Sequence, residues 1–110
     1  MRKKPDNLQG ALDLLILKTL AARGPLHGYG IALHVESVSD DVLRVEEGSL
    51  YPALHRMEQD GWVHANWRTS ESNRRAKFYG ITATGSKQLA DQERTWRLVV
   101  GAIQRVLATA

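Results

Sequence analysis

Residues 46–62 read EEGSLYPALHRMEQDGW, and this stretch decides the fold. Leu50, Leu54 and Met57 recur at i, i+4 and i+7, which is the spacing of a helix that buries one face. Gly61 follows, and glycine is a common terminator just beyond the last turn of a helix. The pattern therefore predicts one short amphipathic helix whose other face is free for polar contacts.

The amino end of this predicted helix suits contact with an anion. We expect Ser49 to cap the helix through its hydroxyl, which places Pro52 within the first turn. Backbone N–H groups exposed at such an end attract phosphate. The outward face carries these side chains: Tyr51, Pro52, His55, Arg56 and Gln59.

Composition excludes several classes of protein. A chain of 110 residues forms one core and is too short for most enzyme folds. It contains no cysteine, so neither disulfides nor thiolate metal sites are available. His27 and His34 are seven residues apart with no third ligand in view, and no catalytic grouping stands out, so we expect no enzyme, cofactor or metal site. The absence of a long apolar run or signal peptide predicts a cytoplasmic protein without membrane contact.

The predicted order of elements is three helices, a β-hairpin and a long final helix. The second helix covers roughly residues 27–37, and the hairpin pairs residues 62–68 with residues 77–81 across a polar, basic turn. Thr82 is expected to cap the final helix. Three helices followed by a two-stranded wing form the winged helix-turn-helix, whose third helix lies in the DNA major groove. We therefore predict a mainly α fold, with a DNA-binding part at residues 1–82 and a dimerisation helix at residues 83–110.

Three motifs carry a resemblance to a known family. GSLYPALHRMEQDGW at residues 48–62 resembles the recognition-helix signature of the PadR family of bacterial repressors. HGYGI at residues 27–31 resembles the family's second helix, and RRAKFYGITATG at residues 74–85 resembles its wing, with departures at Ala76 and Gly80. The resemblance implies a homodimeric repressor that binds an inverted-repeat operator in double-stranded DNA. Many members release DNA when a small aromatic effector binds in the dimer region.

The expected DNA contacts come from two helices and the wing. Tyr29 and Tyr51 would each donate to a phosphate, the alternative being half-buried tyrosines that pack beside the core. His55 and Arg56 could reach base edges, although Arg56 could equally pair with Glu58, with Asp60 or with the acidic loop before the third helix. The wing cations suit phosphate or minor-groove contact, the alternative being a solvated hairpin tip. The full set is Tyr29, Ser49, Tyr51, Pro52, His55, Arg56, Arg74, Arg75 and Lys77.

Two apolar surfaces lack an evident partner within so small a domain. The first predicted helix is apolar almost all round, and Leu89, Trp96 and Ile103 recur every seven residues in the final helix. The resemblance implies that the final helix packs on the partner's first helix. Trp96 would then either anchor the interface or hold a flat aromatic ligand. The expected dimer or ligand residues are Leu8, Leu12, Leu89, Trp96, Val100, Ile103 and Leu107.

One alternative function remains open from the residues alone. A winged helix can serve as a protein–protein interaction module, with the basic hairpin only aiding solubility. Binding that falls steeply with salt would distinguish a DNA reader from such a module, because counterion release accompanies phosphate contact.

Overall fold

The computed structural model describes residues 7–110, with side chains from Gly10 onward. These residues form four helices and a small three-stranded antiparallel sheet whose strand order is β1-β3-β2. This arrangement confirms the predicted fold class, which is mainly α with a hairpin wing. In chain order the elements are α1 (Asn7–Arg23), β1 (Leu26–His27), α2 (Gly28–Val38), α3 (Glu47–Gln59), β2 (Val63–Thr69), β3 (Arg75–Ile81) and α4 (Ala83–Leu107).

The wing is the predicted hairpin, extended slightly at its tip. Its register runs from Val63 opposite Ile81 to Thr69 opposite Arg75. Alternation within this register turns Val63 and Tyr79 towards the core, where both are buried. The two-residue strand β1 was not predicted, because the sequence pattern assigned His27 to a helix. It pairs with Tyr79 and Phe78 on the free edge of β3 and so ties the start of α2 to the wing.

The amino end of α3 differs from the prediction. The helix begins after Glu46, whose backbone carbonyl accepts hydrogen bonds from the N–H groups of Ser49 and Leu50. Ser49 is therefore the third residue of the helix and not its cap, and Pro52 is the sixth residue and not part of the first turn. Because the pattern of apolar residues starts only at Leu50, it could not reveal this extra turn.

The carboxyl end of α3 is as predicted. Gly61 has φ +79°, a left-handed conformation that glycine adopts without steric cost. The Trp62 N–H donates to the Met57 carbonyl and the Gly61 N–H donates to the Glu58 carbonyl, which is the Schellman arrangement. The chain is thereby redirected from α3 straight into β2.

The core lies between α1, α2, α3 and the inner face of the wing. α1 contributes Ile16, Leu17 and Leu20, and the predicted stripe of α3 is buried against them. The other side of α1 is covered by the first half of α4, where Leu89 belongs to the same core. Leu89, which was predicted for the dimer surface, is thus buried within this chain, and its role in a dimer stays a prediction.

The start of α4 is fixed by two residues. The Thr82 hydroxyl accepts a hydrogen bond from the Gly85 N–H at 2.9 Å, which confirms the predicted cap. A Cβ on Gly85 would lie 2.0 Å from the Trp62 carbonyl oxygen, so only glycine fits there.

None of the helices described for residues 7–110 is both long and apolar enough to span a bilayer.

Candidate nucleic-acid interface

Helix α3 presents four distinct faces. Its core face carries Leu50, Leu54 and Met57. Side chains seven residues apart lie on the same side of a helix, which places Tyr51 with Glu58 on one flank and Ser49 with Arg56 on the other. The remaining face, opposite the core, is exposed to solvent along its whole length and consists of Gly48, Pro52, His55 and Gln59. We call these four residues the outward stripe.

The first flank packs against α2 through Tyr51. A Cβ built on Gly28 would lie 2.6 Å from the Tyr51 Oη and 2.7 Å from its ring carbons. The ring therefore lies directly on the backbone of the first turn of α2, while 43% of Tyr51 remains exposed. Both sequence-based alternatives describe part of this geometry, since the ring packs on the protein and the residue also borders solvent.

The same flank is joined to the wing by an ion pair. Lys77 Nζ lies 3.1 Å from Glu58 Oε1, and both side chains are about one-third exposed, at 33% and 34%. The hydrogen bond to Glu58 raises the pKa of Lys77 above its ordinary value. Lys77, predicted to contact DNA, thus holds the wing against α3 in this structure.

The second flank is tied to α1 by Arg56. Its Nη1 donates to Asp13 Oδ2 at 3.0 Å and its Nη2 donates to Asp13 Oδ1 at 2.7 Å. This hydrogen bonding raises the pKa of Arg56 above its ordinary value. The sequence suggested either a base contact or an ion pair with a neighbouring acid. The structure shows an ion pair, but with an acid 43 residues away in the chain that is not among the predicted partners.

A cleft of 570 Å³ opens beside this helix, between the wing and the amino end of α2. Tyr29, Tyr51 and the three predicted wing cations all border it. None of the described residues that line the cleft is acidic, so its electrostatic character is set by the cations. The lining residues are His27, Gly28, Tyr29, Tyr51, Trp67, Ser70, Ser72, Arg74, Arg75, Ala76, Lys77 and Tyr79.

Two arginines of the wing lie over aromatic rings of the same hairpin. The Arg75 guanidinium carbon lies 5.8 Å from the Trp67 ring centroid, on the cleft side of the hairpin. On the opposite face, the guanidinium carbon of Arg68 lies 4.2 Å above the Phe78 ring. Such contacts orient a guanidinium without neutralising its charge. Arg74 and Arg75 are both exposed and remain available to an anion.

His27 is a cleft residue that sequence reasoning did not assign to the site. Its Nδ1 accepts a hydrogen bond from the Gly30 N–H at 3.0 Å and so caps α2. The ring also packs edge-on against Phe78, with centroids 5.2 Å apart. The signal was weak, because histidine is not among the usual capping residues. Trp67, Ser70 and Ser72 were also missed, since only the charged residues of the wing stood out.

The predicted dimer and ligand residues fall into two groups. The side chain of Leu8 lies outside the described residues, while Leu12 is half-buried on α1. Trp96 is half-buried, and its Nε1 lies 3.7 Å from the position of a Cβ on Gly10 in the same chain. Beyond Trp96 most of the large apolar side chains of α4 are solvent-exposed, namely Leu98, Val100, Ile103, Val106 and Leu107.

Comparison with known proteins identifies the family. The family model described as transcriptional regulator PadR-like matches residues 16–91. The chain belongs to the PadR family of transcriptional regulators. The match includes α2, α3 and the whole wing, which are the elements that build the cleft. A PadR-family chain of this kind is a transcriptional regulator and not an enzyme.

Individual relatives agree with this assignment. The chain is 34% identical over 74 residues to the transcriptional regulator Rv3488 of Mycobacterium tuberculosis, covering 67% of this chain and 65% of that protein. A transcriptional regulator from Clostridium thermocellum shares 28% identity with a TM-score of 0.80, over 92% of this PadR chain and 97% of the other. The PadR-like regulator BC4206 of Bacillus cereus shares 26% identity with a TM-score of 0.77, over 94% and 97% of the two chains.

Proposed function

We propose that this PadR-family protein is a homodimeric repressor that binds a specific inverted-repeat operator. The outward stripe of α3 enters the major groove, and the wing contacts the neighbouring backbone or minor groove. One observation carries the proposal: the exposed stripe stands beside a cleft that is lined by cations and, among the described residues, by no acid.

Each part of the interface has a distinct task. Arg74 and Arg75 contact phosphates, which supplies affinity that does not depend on sequence. Tyr29 and Tyr51 line the same cleft, and their hydroxyls donate hydrogen bonds to phosphates of the DNA backbone that the cleft binds. His55 reads base edges from the centre of the stripe. Pro52 and Gly48 let the helix approach closely, and Ser49 adds a hydroxyl near its amino end.

Dimerisation is proposed from the exposed half of α4. A run of large apolar side chains on the surface of a small protein usually marks an interface. Val100, Ile103 and Leu107 are 44%, 50% and 78% exposed, and a second copy of the chain would cover them. Leu8 and Leu12 of the partner's first helix are the expected counterparts. Two recognition helices related by a two-fold axis would then face an inverted repeat.

We propose that a small aromatic effector binds near Trp96 and causes the protein to release DNA. Its indole lies between α4 and α1, where a flat aromatic molecule could stack on it at the dimer seam. A phenolic acid bound there would displace α4 relative to α1. Quenching of tryptophan fluorescence by such an acid, together with a fall in DNA affinity, is the expected response. The Trp96→Phe variant should lose most of the quenching.

The experiment that tests the function is a salt titration on operator DNA. Duplexes enriched from a random pool by the purified protein serve as the operator, and fluorescence anisotropy gives the affinity between 50 and 200 mM salt. We expect the affinity to fall by about a hundredfold or more over this range, since several phosphates are neutralised at once. A protein–protein interaction module would enrich no sequence and show no such slope.

A further inference from the structure

We propose that Asp13 is a positioning residue for DNA recognition. By holding Arg56, Asp13 fixes α3 relative to α1 and thereby sets the distance between the two half-sites that the dimer accepts. This inference rests on the proposed function, because half-site separation has meaning only for a dimer that binds DNA.

The contact has the geometry of a positioning device. Two parallel hydrogen bonds join the guanidinium to the carboxylate, so the pair resists both rotation and sliding of α3 along α1. The Asp13 side chain is only 8% exposed, and that of Arg56 is 34% exposed. Solvent therefore screens the pair less than it screens the other, more exposed ion pairs that the structure shows.

Helix α1 connects this pair to the proposed dimer seam. Gly10 and Asp13 are three residues apart on α1 and so lie on neighbouring positions of one face. Trp96 of α4 lies against Gly10, while Arg56 of α3 binds Asp13. The path from the recognition helix to the two-fold axis therefore passes through Asp13, then through α1, and then through α4.

The other contacts of α3 do not serve this purpose. Glu58 binds Lys77 in the wing, and the wing is expected to contact the same half-site as α3. That pair moves with its half-site and has no bearing on the distance to the second one. The apolar contacts of the core face are non-directional and tolerate small shifts of the helix. Among the contacts that α3 makes with the described residues, only the Asp13–Arg56 pair is both directional and attached to α1.

Half-site separation is a stringent measure of this geometry. One added base pair moves a half-site by about 3.4 Å along the duplex and also rotates it around the axis. A dimer with α3 held firmly on α1 discriminates against such a change. When the pair is removed, α3 can follow the displaced half-site, so that operators of neighbouring spacing bind almost equally well.

The test is selection from random-sequence duplexes with the full-length chain. Wild type is compared with Asp13→Asn and with the double variant Asp13→Leu/Arg56→Met, which leaves no buried charge unpaired and is designed to keep the fold stable. The control is Asp91→Asn, which removes an exposed ion pair to Arg94 within α4. Each pool yields a half-site sequence and a distribution of separations.

We expect wild type and Asp91→Asn to share one preferred separation. Both Asp13 variants should keep the half-site sequence. Their preference for the wild-type separation over separations one base pair longer or shorter should fall by about fivefold or more. Two results would overturn the inference. One is an unchanged separation profile in the double variant. The other is a changed base preference at unchanged separation, which would make Arg56 a direct reader of DNA. A wild type that enriches no paired half-sites would instead refute the proposed function.

Discussion

The Tyr51 ring lies so close to Gly28 that the first turn of α2 has no room for a side chain at that position. Two motifs that are separate in the sequence, HGYG at the start of α2 and SLYP in α3, thus meet at one contact beside the cleft. The glycine is needed for the neighbouring helix as much as for its own. This contact places the Tyr51 hydroxyl at the amino end of α2, where backbone N–H groups also point.

Gly28→Ala should displace Tyr51 and weaken DNA binding with little loss of stability. The added methyl group would clash only with the far end of a half-exposed side chain, which can swing away. We expect affinity for the selected operator to fall by about fivefold, which corresponds to roughly 1 kcal/mol. A double-mutant cycle measures the coupling: in a Tyr51→Ala background, Gly28→Ala should have no further effect on affinity. Full additivity of the two changes would contradict the contact's proposed role.

Arg75→Ala should weaken binding to all duplexes alike. A phosphate contact carries no sequence information, so the base preference stays while the slope of log affinity against log salt falls by about one. Arg97→Ala is the matched control, because it removes the same charge from the exposed side of α4. Equal slopes in the two variants would show that Arg75 does not contact phosphate.

Gly85→Ala should destabilise the fold strongly. The new Cβ would meet the Trp62 carbonyl oxygen, which belongs to the backbone and cannot turn aside. We expect a loss of about 3 kcal/mol or more in the free energy of unfolding, at the upper end of overpacking effects. Gly48→Ala is the control, since a Cβ on Gly48 meets open space and should stabilise α3 by about 0.5–1 kcal/mol. Urea unfolding at one fixed protein concentration measures both, and similar effects would refute the steric argument.

Stability should decline at alkaline pH through Tyr79. Burial raises the pKa of Tyr79 above its ordinary value, so the folded state favours the neutral phenol. A group whose pKa is raised in the folded state stabilises the fold fully while the pH is below its unfolded pKa, which is about 10 for tyrosine. This contribution is lost as the pH rises through the folded pKa. The free energy of unfolding of wild type should therefore fall more steeply above that value than that of Tyr79→Phe. Parallel curves for the two proteins would contradict this origin.

Local patterns in the sequence predicted most of the fold. The stripe of Leu50, Leu54 and Met57, the Gly61 terminator and the Thr82 cap each depend on residues within one or two turns, and the structure confirms all of them. Alternation predicted the wing for the same reason. The predicted start of α3 was wrong because the first turn of this helix precedes its first apolar residue.

The features that the sequence did not reveal depend on distant contacts. Nothing near Arg56 indicates that its partner is Asp13 in the first helix, and Asp13 itself looks like a surface acid in an apolar stretch. Leu89 fits a heptad pattern as well as it fits a core, so only the packing of α4 on α1 decides between them. The strand β1 is too short for any periodic pattern. The predicted roles of the site residues remain predictions until DNA binding is measured.

DNA cleavage from a label placed on the outward stripe tests the docking of α3 in the major groove most directly. Because the chain contains no cysteine, Gln59→Cys offers one unique position for a tethered iron chelate that cuts nearby DNA. A label on Glu71→Cys marks the wing tip, and one on Lys87→Cys marks the first half of α4 as a control. We expect cuts inside each half-site from position 59, cuts flanking each half-site from position 71, and none from position 87. If the label at position 87 cuts the DNA while the label at position 59 leaves the half-sites uncut, the proposed docking of α3 is contradicted.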